Sequence, residues 1–122
     1  MSLLTIVKTI STSTITFPAI TEVQVKLFDE FLRTILWEDK LPGDASHKEF
    51  EIHRLKGRIP VIDGRLLLVQ GVRNVYEMTE AKGKGKQGED EPGQDEAKLV
   101  LIGRGVDQLA FRESLISTLG SP

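Results

Sequence analysis

The sequence predicts an α+β fold: a four-stranded, mainly antiparallel sheet with two helices packed on one face. Three observations predict it. Segments of alternating or β-branched character at 9–17, 49–62, 65–78 and 98–102 read as strands. Two segments carry apolar residues at helical spacing, one opening near Thr21 and one ending at Leu119. Asp63-Gly64 lies between two of the strand segments and is a tight-turn signature that pairs them as a hairpin. The order strand, helix, strand, strand, strand, helix leaves one sheet face without a helical layer in this chain.

Each element has its own justification. Residues 1–8 read as an arm or the start of the first strand, and residues 9–119 as one domain followed by a short tail at 120–122. In the first strand Ser13, Ile15 and Phe17 share a side, and Pro18 ends it because proline cannot donate to a ladder. Thr21 and Gln24 have the capping-box spacing. The helix after them carries Leu27, Phe28, Phe31, Leu32, Ile35, Leu36 and Trp37, which places Trp37 in the core, and it stops before Pro42 and Gly43. Pro60 marks an edge or irregularity near the hairpin tip. Residues 82–96 hold a Lys and Gly half followed by an acidic half, with nothing to fill a core, so a flexible surface loop is expected there. In the last helix Asp107 is the expected cap, Phe111, Leu115, Ile116 and Leu119 the apolar positions, and Gly120 the stop.

Composition narrows the function classes. At 122 residues, 39% hydrophobic and 28% charged, the chain fits one domain with one modest core. The net charge of -2 disfavours a dedicated nucleic-acid binder. There is no cysteine, so thiolate chemistry is absent. No apolar run approaches a membrane span and no leader pattern opens the chain, so a cytoplasmic, membrane-free domain is expected.

Arg54, Lys56 and Arg58 alternate and therefore share one face of their strand. Gln70-Gly71 and Arg73 lie on the following segment, and together the six form a candidate interaction patch. The alternative is a solvated face balanced by Glu49, Glu51 and Glu77. Gly71 within a strand marks a bulge or a close approach, and Gly57 invites the same readings; side by side, the two would mark a shallow pocket or a twist point. Gly103-Arg104-Gly105 before a helix is a candidate anion-binding corner, although Asp107 would compete for it as a cap. His47 and His53 are the only histidines and give no local chelate, so they are weak metal candidates and no metal site is assigned. No catalytic constellation accompanies them. The Lys-Gly alternation at 82–86 lacks the order and the closing pair of a Walker motif.

The run from Leu27-Phe28-Asp29-Glu30-Phe31-Leu32 to Leu36-Trp37-Glu38, the segments 50–57 and 67–78, and 99–104 with 109–119 resemble, in order, the C-terminal domain of CobW-type GTPases. The likeness extends to zinc chaperones with a COBW domain. Arg54-x-Lys56-Gly57 is similar to the family's basic strand motif, and Val69-Gln70-Gly71-Val72 to the strand after it; Arg73 stands where the family often has histidine. The resemblance implies a non-catalytic regulatory and protein-interaction domain of a GTP-dependent zinc or cobalt chaperone. Its implied partners are an N-terminal P-loop GTPase domain in cis and a client metalloprotein. It implies no cofactor in this chain, and GTP, Mg and zinc or cobalt for the parent protein. Two alternatives use the same surfaces: a phospholigand or nucleic-acid module on the basic face, and a homodimer through the helix-free face. Exposed aromatics interleaved with the cations, as single-strand binders have, are missing.

Overall fold

The computed structural model of the chain describes residues 9–43, 49–81 and 96–120. The predicted arm at 1–8, His47, residues 82–95 of the expected loop and the last two residues of the tail lie outside that range. The elements are β1 (Ser11–Pro18), α1 (Glu22–Trp37), β2 (Glu51–Pro60), β3 (Leu66–Val72), β4 (Val75–Ala81), β5 (Glu96–Arg104) and α2 (Leu109–Leu119).

The sheet has five strands in the order β1-β5-β2-β3-β4, every neighbouring pair antiparallel. The expected four-stranded sheet is thus corrected. The segment at 65–78 is not one strand: it turns back at Arg73-Asn74, and Val72 pairs with Val75 across the turn. The turn escaped the sequence because its left-handed residue is Arg73, with φ 57°, where glycine is the usual signal. The Arg73 amide donates to the His53 carbonyl at 3.1 Å, which fixes the turn against β2. The register of β2 against β5 shifts between Ile52 and Arg54, so the bulge lies at His53 and not at Gln70-Gly71.

The Asp63-Gly64 turn forms as expected. Gly64 has φ 102° and its amide donates to the Val61 carbonyl at 2.9 Å. Asp63 accepts from the Arg65 backbone at 3.1 Å and pairs with the Arg65 guanidinium at 3.0 Å, which holds the Asp63 carboxyl below its ordinary range. Arg65 also pairs with Glu22, tying the hairpin to the start of α1. Pro60 sits where pairing with β5 has already ended at Arg58, so its missing N–H interrupts no ladder. Its carbonyl accepts from the Ile20 amide at 3.1 Å.

One core lies between the sheet and the two helices. Ile15 and Phe17, Leu55 and Ile59, Leu67 and Val69, and Leu99 and Leu101 face Phe28, Phe31, Leu32, Phe111 and Leu115. Phe17 meets Phe28 with ring centroids 6.1 Å apart, and Phe50 meets Phe111 edge-on at 4.8 Å. The capping box of α1 is present: Thr21 accepts from the Gln24 amide at 3.3 Å and Gln24 Oε1 accepts from the Thr21 amide at 2.9 Å. Gln24 is buried, and its Nε2 also donates to the carbonyls of Leu119 and Gly120 at 3.2 and 3.3 Å. A single amide therefore caps the start of α1 and the end of α2. Gly120 stops α2 with φ 67°, as expected, but the N-cap of α2 is Gln108 and not Asp107, with no side-chain cap bond.

Trp37 is 57% exposed, which corrects its expected place in the core. Its Nε1 donates to the Asn74 carbonyl at 2.9 Å and its ring lies 6.0 Å from that of Tyr76. The Tyr76 hydroxyl donates to Asp29 on α1, itself paired with Arg33 at 3.2 Å. Burial first, then the Asp29 hydrogen bond and charge, push the Tyr76 phenol up to about 12. Tyr76 is the only tyrosine, so phenolate absorbance reports it alone. The expected titration midpoint is about 12 against an ordinary 10. A proton held more tightly in the folded state stabilises the fold fully below about 10, and that contribution is lost as pH rises through about 12. A midpoint at the ordinary value with the fold intact would contradict the burial of Tyr76 together with its Asp29 contact.

Candidate functional site

The candidate site is the sheet face turned away from both helices. Strand alternation decides which side chains reach it. In β2, Leu55 and Ile59 are buried under the helices, so Arg54, Lys56 and Arg58 point the other way, and all three are exposed. The registers then set out three rows across the sheet. One row holds Thr12, Ile102, Arg54, Val72 and Val75; the next Thr14, Val100, Lys56, Gln70 and Glu77; the third Thr16, Lys98, Arg58, Leu68 and Thr79.

The face is cationic along its middle, with aliphatic side chains on both sides, broken by Gln70 and Glu77 on one and by Lys98 on the other. Arg54, Lys56 and Arg58 run down β2, with Lys98 beside Arg58 on β5. Val100 and Ile102 flank them on one side, and Val72 and Val75, 55% and 72% exposed, on the other. Among the described residues no carboxylate forms an ion pair with Arg54 or Lys56. Gln70 Nε2 donates to Glu77 at 3.3 Å, which turns that carboxylate along its own row. Arg54, Lys56, Gln70, Val72, Val75 and Val100 line a shallow depression of about 700 Å³.

The other candidate residues fall in three places. Gly71 contributes backbone to the floor of the depression, but a side chain there would point to the helical side. A β-carbon would lie 2.9 Å from Tyr76 Cβ, which accounts for glycine without a bulge. Gly57 pairs with Val69 and Gly71 with Leu55, so the two glycines are not side by side. Arg73 stands at the β3–β4 turn, beside a separate hollow lined by Trp37, Asp39, Glu51 and Asn74.

Gly103, Arg104 and Gly105 lie where β5 meets the start of β2. A β-carbon on Gly103 would collide with the Glu51 carbonyl, and one on Gly105 would lie 2.5 Å from the Glu49 carbonyl. Arg104 pairs with Glu51 at 3.2 Å, and Glu51 also accepts from His53 at 3.1 Å. The His53 hydrogen bond, then the charge of Arg104, holds the Glu51 carboxyl below its ordinary range. Gln108 Nε2 donates to the Gly105 carbonyl at 2.8 Å across this corner.

Among the described residues no group of three or more His, Cys, Asp or Glu side chains could hold a metal. His53 with Glu51 makes a pair and no more. The described residues therefore do not fit a metal.

Lys98, Val100 and Ile102 belong to the face and were missed as site residues. Their signal was present: at 97–102 both alternating sets are largely apolar, with Ala97, Leu99 and Leu101 buried and Val100 and Ile102 on the open side. A strand apolar on both sides is the pattern of a sheet covered on both faces.

Residues 12–119 match the family profile described as cobalamin synthesis protein cobW C-terminal domain. Among curated proteins none matches the chain. Among solved structures it is similar to the Zn(II)-bound YjiA GTPase from E. coli. That likeness has a TM-score of 0.61 at 18% identity, over 92% of this chain and 30% of that one. A Zn(II)-bound triple mutant of YjiA GTPase gives 0.53 at 19% identity, over 86% of this chain and 28% of that one. At these identities the likeness shows a shared fold, and the chain spans about 30% of the length of the solved protein.

Proposed function

Because the chain belongs to the family of the cobW C-terminal domain, we propose that it is the regulatory and protein-interaction part of a GTP-dependent metal chaperone, and that its basic sheet face docks the GTPase domain of the parent protein. This chain holds no P-loop sequence, so GTP hydrolysis is assigned to the rest of the parent protein. Zinc or cobalt, GTP and Mg are likewise assigned to the remainder of the parent, with a client metalloprotein as a further partner. Support comes from the solved relative, a Zn(II)-bound GTPase of which this fold forms less than a third.

The observation that carries the docking role is the alignment of Arg54, Lys56 and Arg58 on a helix-free face, with Ile102, Val100, Val72 and Leu68 among their cross-strand neighbours. Exposed Val72 and Val75, paired across the β3–β4 turn, add apolar surface beside those charges. Cations in such a setting steer an acidic surface and fix its register, while the aliphatics supply apolar burial.

The test is titration of the 122-residue chain against the parent's GTPase domain in GTP-loaded, GDP-loaded and nucleotide-free states. Binding that depends on the nucleotide is expected, and it weakens as salt shortens the screening length below about 8 Å. Replacing Arg54→Glu with Lys56→Glu lowers affinity about tenfold or more. Absence of binding in every nucleotide state would overturn the assignment.

A further inference from the structure

Resting on the docking role above, we propose that the occupant of the open face is an amphipathic helix of the partner. It lies along β2, with carboxylates at every fourth position over Arg54, Lys56 and Arg58 and aliphatic side chains on both flanks.

Spacing is the first argument. Alternate residues of a strand recur about every 7 Å, so the three cations stand about 7 and about 13 Å apart along β2. Carboxylates at i, i+4 and i+8 of a helix recur at about 6 and about 12 Å, close enough for flexible side chains to meet the cations in sequence. An extended segment could match the same interval. Laid face-on, however, it would bring its own unpaired amides and carbonyls against an aliphatic surface, whereas a helix satisfies them internally.

Width is the second. The aliphatic side chains of the flanks, Val100 and Ile102 on β5 and Leu68 and Val72 on β3, stand one strand to either side of β2, about 10 Å apart in all. A helix with its side chains is about 10–12 Å across. Lying over Arg54 and Lys56, it reaches Val100 and Ile102 on one side and Val72 on the other, above the depression already described.

Charge decides against a second copy of this chain. Two such faces set together would place cations against cations. Neither described helix presents an acidic row: on the exposed side of α1, Lys26 falls between Glu22 and Glu30, and on α2 Arg112 precedes Glu113. The partner helix is therefore more acidic than either described helix of this chain.

The test uses two stapled helical peptides of one composition against the isotope-labelled chain. In the first, Glu occupies i, i+4 and i+8 between two rows of Leu; in the second, the same residues are shuffled so that carboxylates face all sides. The ordered peptide is expected to bind and to shift the amide resonances of β5, β2 and β3, with the shuffled one about tenfold weaker or worse. Arg54→Gln with Lys56→Gln, in a variant whose amide spectrum shows it folded, weakens the ordered peptide about tenfold or more. Equal binding of the two peptides, no binding of either, or tighter binding of a single-stranded oligonucleotide overturns the proposal. If the GTPase domain binds and the ordered peptide does not, the docking role stands and the helix falls. If the ordered peptide binds and that domain does not, the helix stands with a different partner.

Discussion

Gly103→Ala is expected to destabilise the domain by about 3 kcal/mol or more, the upper end of what overpacking costs. Gly103 pairs with Ile52 on β2 and with Ser11 on β1, inside the sheet. A β-carbon there would collide with the carbonyl oxygen of Glu51 and lie 3.0 Å from the His53 amide nitrogen. Both obstacles are backbone, so relief requires the bulge of β2 to shift against β5. Elsewhere in a strand, replacing glycine with alanine gains stability by restricting the unfolded chain. The sign at Gly103 is thus set by the clash. Gly57→Ala is the control: its β-carbon would lie 3.2 Å from a methyl of Leu99, a side chain able to yield. Chemical denaturation should place Gly103→Ala far below the parent and Gly57→Ala within about 1 kcal/mol of it. Equal midpoints for the two variants would show that β2 and β5 do not approach as described.

Phe111→Ala is expected to cost about 3–5 kcal/mol, the range for emptying a buried phenylalanine. Phe111 is fully buried in the first turn of α2, edge-on to Phe50 at 4.8 Å. An eleven-residue helix is marginal on its own, and no side-chain hydrogen bond caps its start. Packing must therefore hold it to the sheet, and Phe111 is the bulkiest side chain α2 buries. Ile116→Ala, on the exposed side of the same helix, should move the urea midpoint little. Comparable losses for the two would mean that helix propensity, and not packing against Phe50, sustains α2. Against a total stability of about 5–15 kcal/mol, the loss at Phe111 is a large fraction.

Signals written in fixed local spacing were legible. Thr21 and Gln24 announce the start of α1 because both halves of a capping box lie three residues apart. Asp63-Gly64 announces its hairpin because the turn needs the backbone freedom that glycine has. The turn at Arg73-Asn74 was not legible, since arginine holds the left-handed conformation there and alternation runs on through it. The fifth strand was lost with it. The bulge at His53 depends on how β2 meets β5, a partner distant in sequence. Trp37 has a place in the apolar stripe of α1, yet the sheet beneath ends at the β3–β4 turn, leaving its ring against Tyr76 and its nitrogen on Asn74.

The candidate face was half legible for the same reason. Arg54, Lys56 and Arg58 share a side by strand period alone. Gln70 joins them only through the register of β2 with β3, and Lys98 only because β5 inserts beside β2, which no local pattern reveals. Adjacent strand residues face opposite ways, so the side-chain positions of Gln70 and Gly71 serve different surfaces although they are neighbours in the chain.

The amide of Gln24 joins two helix ends that lie 95 positions apart. Fraying of the last turn of α2 therefore removes two of the hydrogen bonds that position the Gln24 side chain in the cap of α1, so local melting at the two places is expected to be coupled. Slow amide exchange at Val25 and at Leu119 should rise and fall together, as parts of one cooperative unit spanning nearly the whole domain.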